Sequence, residues 1–182
     1  MNFKVGQKVV YPNHGIGVIQ EIAVREVSRD QTSQFYHLRL EVTNSMVMIP
    51  IANAKEVGLR PPIPHDECTR LMKSLAEDFE EPASDWKDRY KEFLEHMKTG
   101  DVFKIAQVLK TLVYLNLLKP LSFREKRLLE KARYLVSSEI AEVTRKSILQ
   151  IDPKIDEALD EACNKRLARN GRTRPAAAAA AR

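Results

Sequence analysis

Several features that define large classes of protein are missing from this 182-residue sequence. It has only two cysteines, Cys68 and Cys163, which lie far apart without CxxC spacing. This predicts reduced thiols in a reducing compartment rather than disulfides. The four histidines are scattered, and no pair has the short spacing of a zinc site, so we expect no metal.

Apolar runs long enough to span a bilayer are also missing. The N-terminal segment MNFKVGQKVV lacks the apolar core and the small-residue cleavage site of a signal peptide. The sequence therefore predicts a cytoplasmic protein with no membrane partner.

Catalytic motifs are absent as well. The sequence contains no G-x-S-x-G, no Walker loop and no G-x-G-x-x-G. Its one Gly-x-Gly, Gly15-Ile16-Gly17, lacks the surrounding positions of a phosphate cradle. Acid pairs such as Glu80-Glu81 fall in exposed-looking loops, where carboxylates are usually just solvated. We therefore expect a binding protein rather than an enzyme, with no cofactor and no small-molecule ligand.

The charge is unevenly distributed along the chain. The net charge is +5, which favours an anionic partner only weakly because acids and bases are both plentiful. Residues 61–120 carry nine Lys and Arg against eleven Asp and Glu, whereas residues 121–182 carry fourteen against nine. The final stretch, 165–182, has six basic residues and no acid, a composition that can add non-specific DNA affinity.

The first sixty residues favour short strands joined by tight turns. An apolar segment at 9–12 and a turn at 13–15 precede a long strand, for which the pattern predicts one face formed by Ile16, Val18, Ile22 and Val24. Two further strands follow, an alternating one at 36–42 and an apolar one at 46–51, and a last short strand is expected at 57–59. Such a series indicates a small curled sheet or barrel.

Three prolines at positions 61, 62 and 64 indicate a stiff connector, after which the patterns are helical. Helices are predicted over 66–78 and 86–98, and then after Asp101, after the capping box of Ser122 and Glu125, and from Asp152-Pro153. The Ala-rich end is typical of disorder. We therefore predict an α+β chain, a β module at 1–60, a linker at 61–65, a helical bundle at 66–169 and a disordered tail at 170–182.

Trp86, the only tryptophan, begins the segment DWKDRYKEF. Trp86, Tyr90, Phe93 and Met97 share helical spacing, and such a stripe usually packs in a core. Trp86 also stands at a helix N-terminus after a Pro-containing loop, from which its ring could project. Helix N-termini and nearby cations favour phosphates, and an exposed ring can wedge against an unstacked base step.

A second basic group lies in the predicted fourth helix. Arg124, Arg127 and Lys131 fall on one helix face at i, i+3 and i+7. This pattern fits a phosphate-binding face, but it also fits a solvated face that Glu125 and Glu130 partly compensate. The pattern alone leaves both interpretations open.

Longer segments carry a family resemblance. FKVGQKVVYPNHGIGVI and MIPIANAKEVGLR resemble the N-terminal module of the CarD/CdnL family, a module that also occurs in the transcription-repair coupling factor. DWKDRYKEFLEHMKTGDVFKIAQVLKTL and LSFREKRLLEKARYLVSSEIA are similar to the helical half of CarD proteins. Both halves match in order over 2–141, and the helical half separates this chain from the coupling factor, which continues into a motor.

The resemblance implies a Tudor-like N-terminal domain that binds the β subunit of RNA polymerase. It also implies a helical domain that contacts promoter DNA in the minor groove, with low sequence specificity, at the upstream edge of the transcription bubble. Trp86 matches the family's wedging tryptophan, and Arg89 and Lys91 match basic residues that meet the phosphates. Asp88 replaces a basic residue of some members, which predicts weaker DNA contact there.

The resemblance also implies a polymerase-binding group in the β module. Arg25 matches a position that the family uses, and Met48 stands where some members carry Arg, so its contact is expected to be apolar. Ile49 and Pro50, which follow Met48, complete the predicted group.

Together these features predict a regulator that binds RNA polymerase and stabilises the open complex. A protein–protein adaptor is the main alternative, with Trp86 buried and no direct DNA wedge. A free-standing repressor that binds a defined operator without polymerase is the second alternative.

Overall fold

The computed structural model describes residues 2–28 and 31–173. These residues form two compact units that divide between Ile63 and Pro64, within the predicted linker at 61–65. The first unit is a curled antiparallel sheet and the second consists of five helices, which confirms the predicted α+β class.

The β unit is a single four-stranded antiparallel sheet in the order β1-β2-β3-β4. Its elements are β1 (Lys8–Tyr11), β2 (Gly15–Ser28), β3 (Gln31–Leu40), β4 (Met46–Pro50) and a short 3-10 helix (Ile51–Asn53). One face of the sheet is lined by a hydrophobic core made of Phe3, Val9, Ile19, Tyr36, Leu38, Leu40, Ile49, Ala54 and Leu59. Tyr36 also accepts a 3.0 Å hydrogen bond at its hydroxyl from the Phe3 N–H, which ties the N-terminal segment to this core.

The prediction that Ile16, Val18, Ile22 and Val24 share one face of β2 is wrong, because the strand changes face after Val18. The pairing of β2 with β3 shifts register between Ile19 and Glu21. Ile19 pairs with Leu38 and Ile22 pairs with Tyr36, so the extra residue places Ile22 on the core face with Ile19, opposite to Val18. Ile19 is buried, whereas Ile22 and Val24 are exposed further along the strand.

The strand predicted at 57–59 is also absent from the sheet. The chain instead turns back after the 3-10 helix, and Arg60 forms an isolated antiparallel bridge with Val10 of β1. The Val10 N–H donates to the Arg60 carbonyl at 2.7 Å. This bridge covers the outer edge of β1 and leaves β4 as the other edge of the sheet.

The second unit contains α1 (His65–Ala76), α2 (Trp86–Lys98), α3 (Val102–Leu118), α4 (Phe123–Thr144) and α5 (Ile148–Arg169). The predicted bounds of α2 are confirmed, and Gly100 has a φ of +69° just beyond its end. The Asp101 side chain accepts from the Phe103 N–H at 2.9 Å, and Ser122 and Glu125 form the predicted capping box. No helix among the described residues has both the length and the apolar character needed to cross a bilayer.

The start predicted for the fifth helix is wrong. α5 begins at Ile148, where the Gln150 side chain accepts from the Ser147 N–H at 3.1 Å, so Pro153 lies inside the helix. Proline has no N–H for the Leu149 carbonyl, yet the earlier turn already fixes the helical direction. The Asp152 carboxylate is used by tertiary structure instead, because it accepts from the Ser137 hydroxyl at 2.5 Å.

Candidate nucleic-acid interface

Trp86 is the first residue of α2 and stands on the surface. The Asp85 carboxylate caps the helix by accepting from the N–H groups of Lys87 (2.7 Å) and Asp88 (3.2 Å). Trp86 is 59% exposed, whereas Phe93 and Met97 of the same stripe are buried. The core interpretation is therefore right for Phe93 and Met97 and wrong for Trp86, whose place at the helix start lies beyond the packed part of the stripe.

A second exposed aromatic ring, which sequence reasoning missed, lies at the start of α4. Phe123 directly follows the N-cap Ser122 and is 74% exposed. The Arg127 guanidinium lies 5.8 Å from the Phe123 ring centroid, just as Lys87 lies 5.9 Å from that of Trp86. The capping box could have revealed Phe123, because it places this ring at the first helical position, the same position that Trp86 has after Asp85.

Arg89 links the N-terminal turns of α2 and α4. Its Nη1 donates to the Ala83 carbonyl at 2.6 Å, and its Nη2 lies 3.7 Å from Oε1 of Glu125. Glu125 in turn accepts from the N–H (2.9 Å) and the hydroxyl (2.6 Å) of Ser122. This chain of contacts brings Trp86 and Phe123 to one region of the helical unit.

Arg89 therefore lies inside the fold rather than on the surface where the resemblance placed it. Its side chain is only 13% exposed, and its Nε is buried without a hydrogen-bond acceptor. Burial acts to raise the pKa of Glu125, but the Ser122 hydrogen bonds and the Arg89 charge outweigh it and hold that pKa below its usual range. The anionic capping group of α4 thus attracts the Arg89 guanidinium inward.

The other predicted DNA-binding cations are on the surface. Lys91 on α2 is exposed, as are Arg124, Arg127 and Lys131 on α4. Although Lys131 is exposed as a whole, partial burial lowers the pKa of its ammonium group. Asp88 is also exposed on α2, so an acid stands among these cations.

We define the aromatic-basic face as Trp86, Lys91, Phe123, Arg124 and Arg127. Asp85 and the Ser122–Glu125 capping box already bind N–H groups at the two helix starts, so the exposed cations are the groups that favour phosphates on this face. Two exposed rings offer flat apolar surfaces on which unstacked bases can rest. The described residues place no group of three or more His, Cys, Asp or Glu where it could hold a metal ion.

Three of the basic residues of 165–182 are held by contacts in the fold, while Arg172 is exposed. Lys165 pairs with Glu161 at 2.6 Å, Arg169 pairs with Asp78 at 2.9 Å, and Arg166 is buried. Residues 174–182, most of the predicted disordered tail, lie outside the described residues.

The predicted polymerase-binding group is split between two faces of the sheet. Arg25 and Met48 are exposed, and Pro50 is half-buried. Ile49 is only 3% exposed and belongs to the core, so its side chain is not available to a partner. Strand alternation explains the split, because neighbouring residues of β4 point to opposite faces.

The backbone of β4 forms an edge of the sheet. The Leu40 N–H donates to the Ser45 carbonyl at 2.9 Å, and alternation along an antiparallel ladder then points the N–H and C=O groups of Met46 and Met48 away from β3. Both methionine side chains are more than half exposed. This edge therefore offers outward hydrogen-bonding groups flanked by apolar surface.

Both units match known families. Residues 3–63 match the family model "CarD-like/TRCF RID domain", and residues 70–156 match "CarD, C-terminal domain". The chain is 31% identical over 142 residues to YdeB of Bacillus subtilis (strain 168), whose name describes a candidate transcription factor. That match covers 76% of this chain and 90% of YdeB.

Proposed function

This chain belongs to the CarD family of transcription regulators, and we propose that it stabilises the open promoter complex. In this proposal the β unit binds the β subunit of RNA polymerase. The aromatic-basic face binds promoter DNA at the upstream edge of the bubble. The protein acts by binding, without a cofactor and without chemistry of its own.

The exposure of Trp86 is the observation that carries the proposal. Leaving an indole in water forgoes the free energy of burying it, so an exposed ring fixed by a well-capped helix start is prepared for a partner. Melted DNA fits this site, because phosphates suit the exposed Lys91, Arg124 and Arg127 and an unstacked base step suits the ring.

The free edge of β4 supports the binding of polymerase. An extended segment of the partner can add to such an edge through main-chain hydrogen bonds, while side-chain contacts give specificity. Met48 presents an apolar side chain beside that edge, and Arg25 adds a charge on β2. Ile49 contributes by holding β4 in the sheet rather than by direct contact.

Two physical steps link this arrangement to transcription. Binding to polymerase makes DNA contact intramolecular, so a small basic face that binds free DNA weakly acts at high effective concentration. A ring that fits only melted DNA then shifts the equilibrium toward the open complex. A preference of about 1.4 kcal/mol for the open form shifts that equilibrium about tenfold.

A promoter-melting assay with purified polymerase tests the proposal. A fluorescent base analogue within the melted segment reports strand separation with and without the protein. We expect a larger melted fraction with the protein present, and weak, salt-sensitive binding to the same DNA without polymerase. Nanomolar binding to one defined DNA sequence without polymerase would instead support a free-standing repressor and overturn the proposal.

A further inference from the structure

The loop that leads into Trp86, residues 77–85, has little apolar packing of its own. Most of its residues are exposed, and it borders a cavity of about 630 Å³ that is also lined by α2 and α3. Phe79 is its apolar anchor and meets Tyr114 edge-on, with ring centroids 5.5 Å apart. The rest of the loop must be fixed by polar contacts.

Lys110 of α3 donates to the Glu77 carbonyl at 3.0 Å, and the polar contacts of the loop's acidic side chains come from the C-terminal end of α5, about ninety residues further along the chain. Oε2 of Glu81 accepts from Nε of Arg166 at 3.1 Å and from Nδ2 of Asn170 at 2.5 Å. Oδ2 of Asp78 accepts from Nη1 of Arg169 at 2.9 Å. We call Glu81, Asp78 and their three α5 partners the α5 clasp.

The clasp is an integrated part of the fold rather than a loose surface pairing. Arg166 is buried, and its guanidinium also lies 5.8 Å from the Phe79 ring centroid. A buried guanidinium needs its anionic partners, because an unpaired charge away from water is costly. Asn170 also bonds the Tyr114 hydroxyl at 3.1 Å, which links the clasp to α3.

Both ends of the segment from Glu81 to Trp86 are thus held. The clasp holds Glu81, and Arg89 holds the Ala83 carbonyl directly before the α2 cap. Of these holding groups, the α5 residues lie beyond the segment 70–156 that matches the CarD C-terminal model. A ring whose supporting loop is already ordered loses less conformational freedom when it binds.

We propose that the α5 clasp positions Trp86 for DNA, so that Arg166, Arg169 and Asn170 are positioning residues of the aromatic-basic face. This inference rests on the proposed function. It assigns to the end of α5 the task of holding the loop and the start of α2, not the task of touching DNA. Loss of Glu81 alone leaves Arg166 beside Asp78, 3.7 Å from its carboxylate, so the helices stay folded while the indole gains motion.

Two neighbouring acids on the same loop provide a matched test. Glu81→Ala removes a clasp residue, whereas Glu80→Ala removes the same charge from an exposed residue outside the clasp. Electrostatics alone predicts that either loss of negative charge strengthens DNA binding slightly. The clasp predicts the opposite for Glu81→Ala.

Trp86 is the only tryptophan, so intrinsic fluorescence reports its motion directly. In the full-length protein we expect Glu81→Ala to lower the fluorescence anisotropy of Trp86 and to weaken DNA binding in the polymerase–promoter complex by about threefold. Glu80→Ala should change neither. Asn170→Ala, which removes a contact from the α5 side, should reproduce the effect of Glu81→Ala.

Equal anisotropy and equal binding for the Glu81 and Glu80 variants would overturn the clasp. So would unchanged anisotropy in Asn170→Ala, or a loss of helical circular dichroism in Glu81→Ala, since that loss would show a general folding role. If Glu81→Ala lowers the anisotropy but Trp86→Ala binds promoter complexes like the wild type, the clasp stands and the proposed function fails.

Discussion

Arg89 on α2 and Glu125 on α4 approach each other to 3.7 Å between Nη2 and Oε1, and each also serves the start of a helix. Glu125 caps α4 through Ser122, while Arg89 holds the Ala83 carbonyl just before α2. The ion pair therefore links the first turns of two helices. An exposed aromatic residue stands at each of these N-termini, so the pair connects the two helix starts that carry the rings.

Arg89 and Lys91 should separate a supporting role from direct DNA contact. Arg89→Ala leaves Glu125 without its partner in a partly buried site, so we expect the free energy of unfolding to fall by about 1–3 kcal/mol. Lys91→Ala should change the free energy of unfolding by less than about 0.5 kcal/mol. It should reduce the slope of the logarithm of the DNA-binding constant against the logarithm of salt concentration by about one. Thermal unfolding and salt titrations measure the two effects. Equal loss of stability in both variants would contradict the assignment.

Phe123 is expected to act as a second base-contacting ring. Phe123→Ala removes an exposed side chain, so the melting temperature should hardly change. Loss of stacking with an unpaired base costs about 1–3 kcal/mol, and the lifetime of the open complex should shorten accordingly. Leu118→Ala, at a partly exposed site at the end of α3, serves as a control. An unchanged lifetime in Phe123→Ala would remove this ring from the face.

Met48 and Ile49 are neighbours on β4 with opposite expected effects. Met48→Glu places a charge on the exposed face and should abolish binding to the polymerase β subunit while the sheet stays folded. Ile49→Ala removes core volume and should lower the free energy of unfolding by about 2–4 kcal/mol. Binding to immobilised polymerase and chemical denaturation test the pair. Full polymerase binding by Met48→Glu would rule out the β4 edge as the docking site.

Acid should destabilise the helical unit through two carboxylates. Burial acts to raise the pKa of Asp78, but hydrogen bonds from Arg169 and Phe79 and the nearby Arg166 charge hold it below its usual value, and the pKa of Glu125 is also lowered. A lowered folded-state pKa gives stability that is complete above the unfolded-state value and is lost as pH falls through the folded-state value.

The pH dependence can be assigned by substitution. The free energy of unfolding should be constant with respect to these two groups near neutral pH and should fall below about pH 4. Asp78→Asn and Glu125→Gln should each reduce the slope in that acid range without adding a slope near neutral pH. Denaturant titrations at a series of pH values from acid to neutral measure this slope. An acid slope unchanged in both variants would show that other groups are responsible.

Local signals predicted much of the helical unit. The bounds of α2 follow from Asp85 before it and Gly100 after it, because capping side chains and a left-handed glycine act within one turn of the chain. The predicted start of α5 was wrong because Ser147 and Asp152, two residues that can both cap a helix, lie within six positions of each other. The Asp152 carboxylate bonds Ser137 across the fold, a contact that local spacing does not reveal.

The errors in the sheet and the interface have tertiary causes as well. The bulge after Ile19 depends on the partner strand, so alternation within β2 alone put Ile22 and Val24 on the same face as Ile16 and Val18. Arg89 was predicted to be a surface cation because its contacts with Ala83 and Glu125 form only in the folded structure and leave no pattern in the sequence. Trp86 and Phe123, in contrast, could be located from helix caps alone.

The lifetime of the open promoter complex with the Trp86→Ala variant tests the central proposal most directly. Leu94→Ala, at another partly exposed apolar site on α2, is the matched control. We expect Trp86→Ala to keep its fold and its polymerase binding but to give the short lifetime seen without the protein, while Leu94→Ala behaves like the wild type. A Trp86→Ala protein that prolongs the open complex as well as the wild type does would contradict the proposed role of the indole.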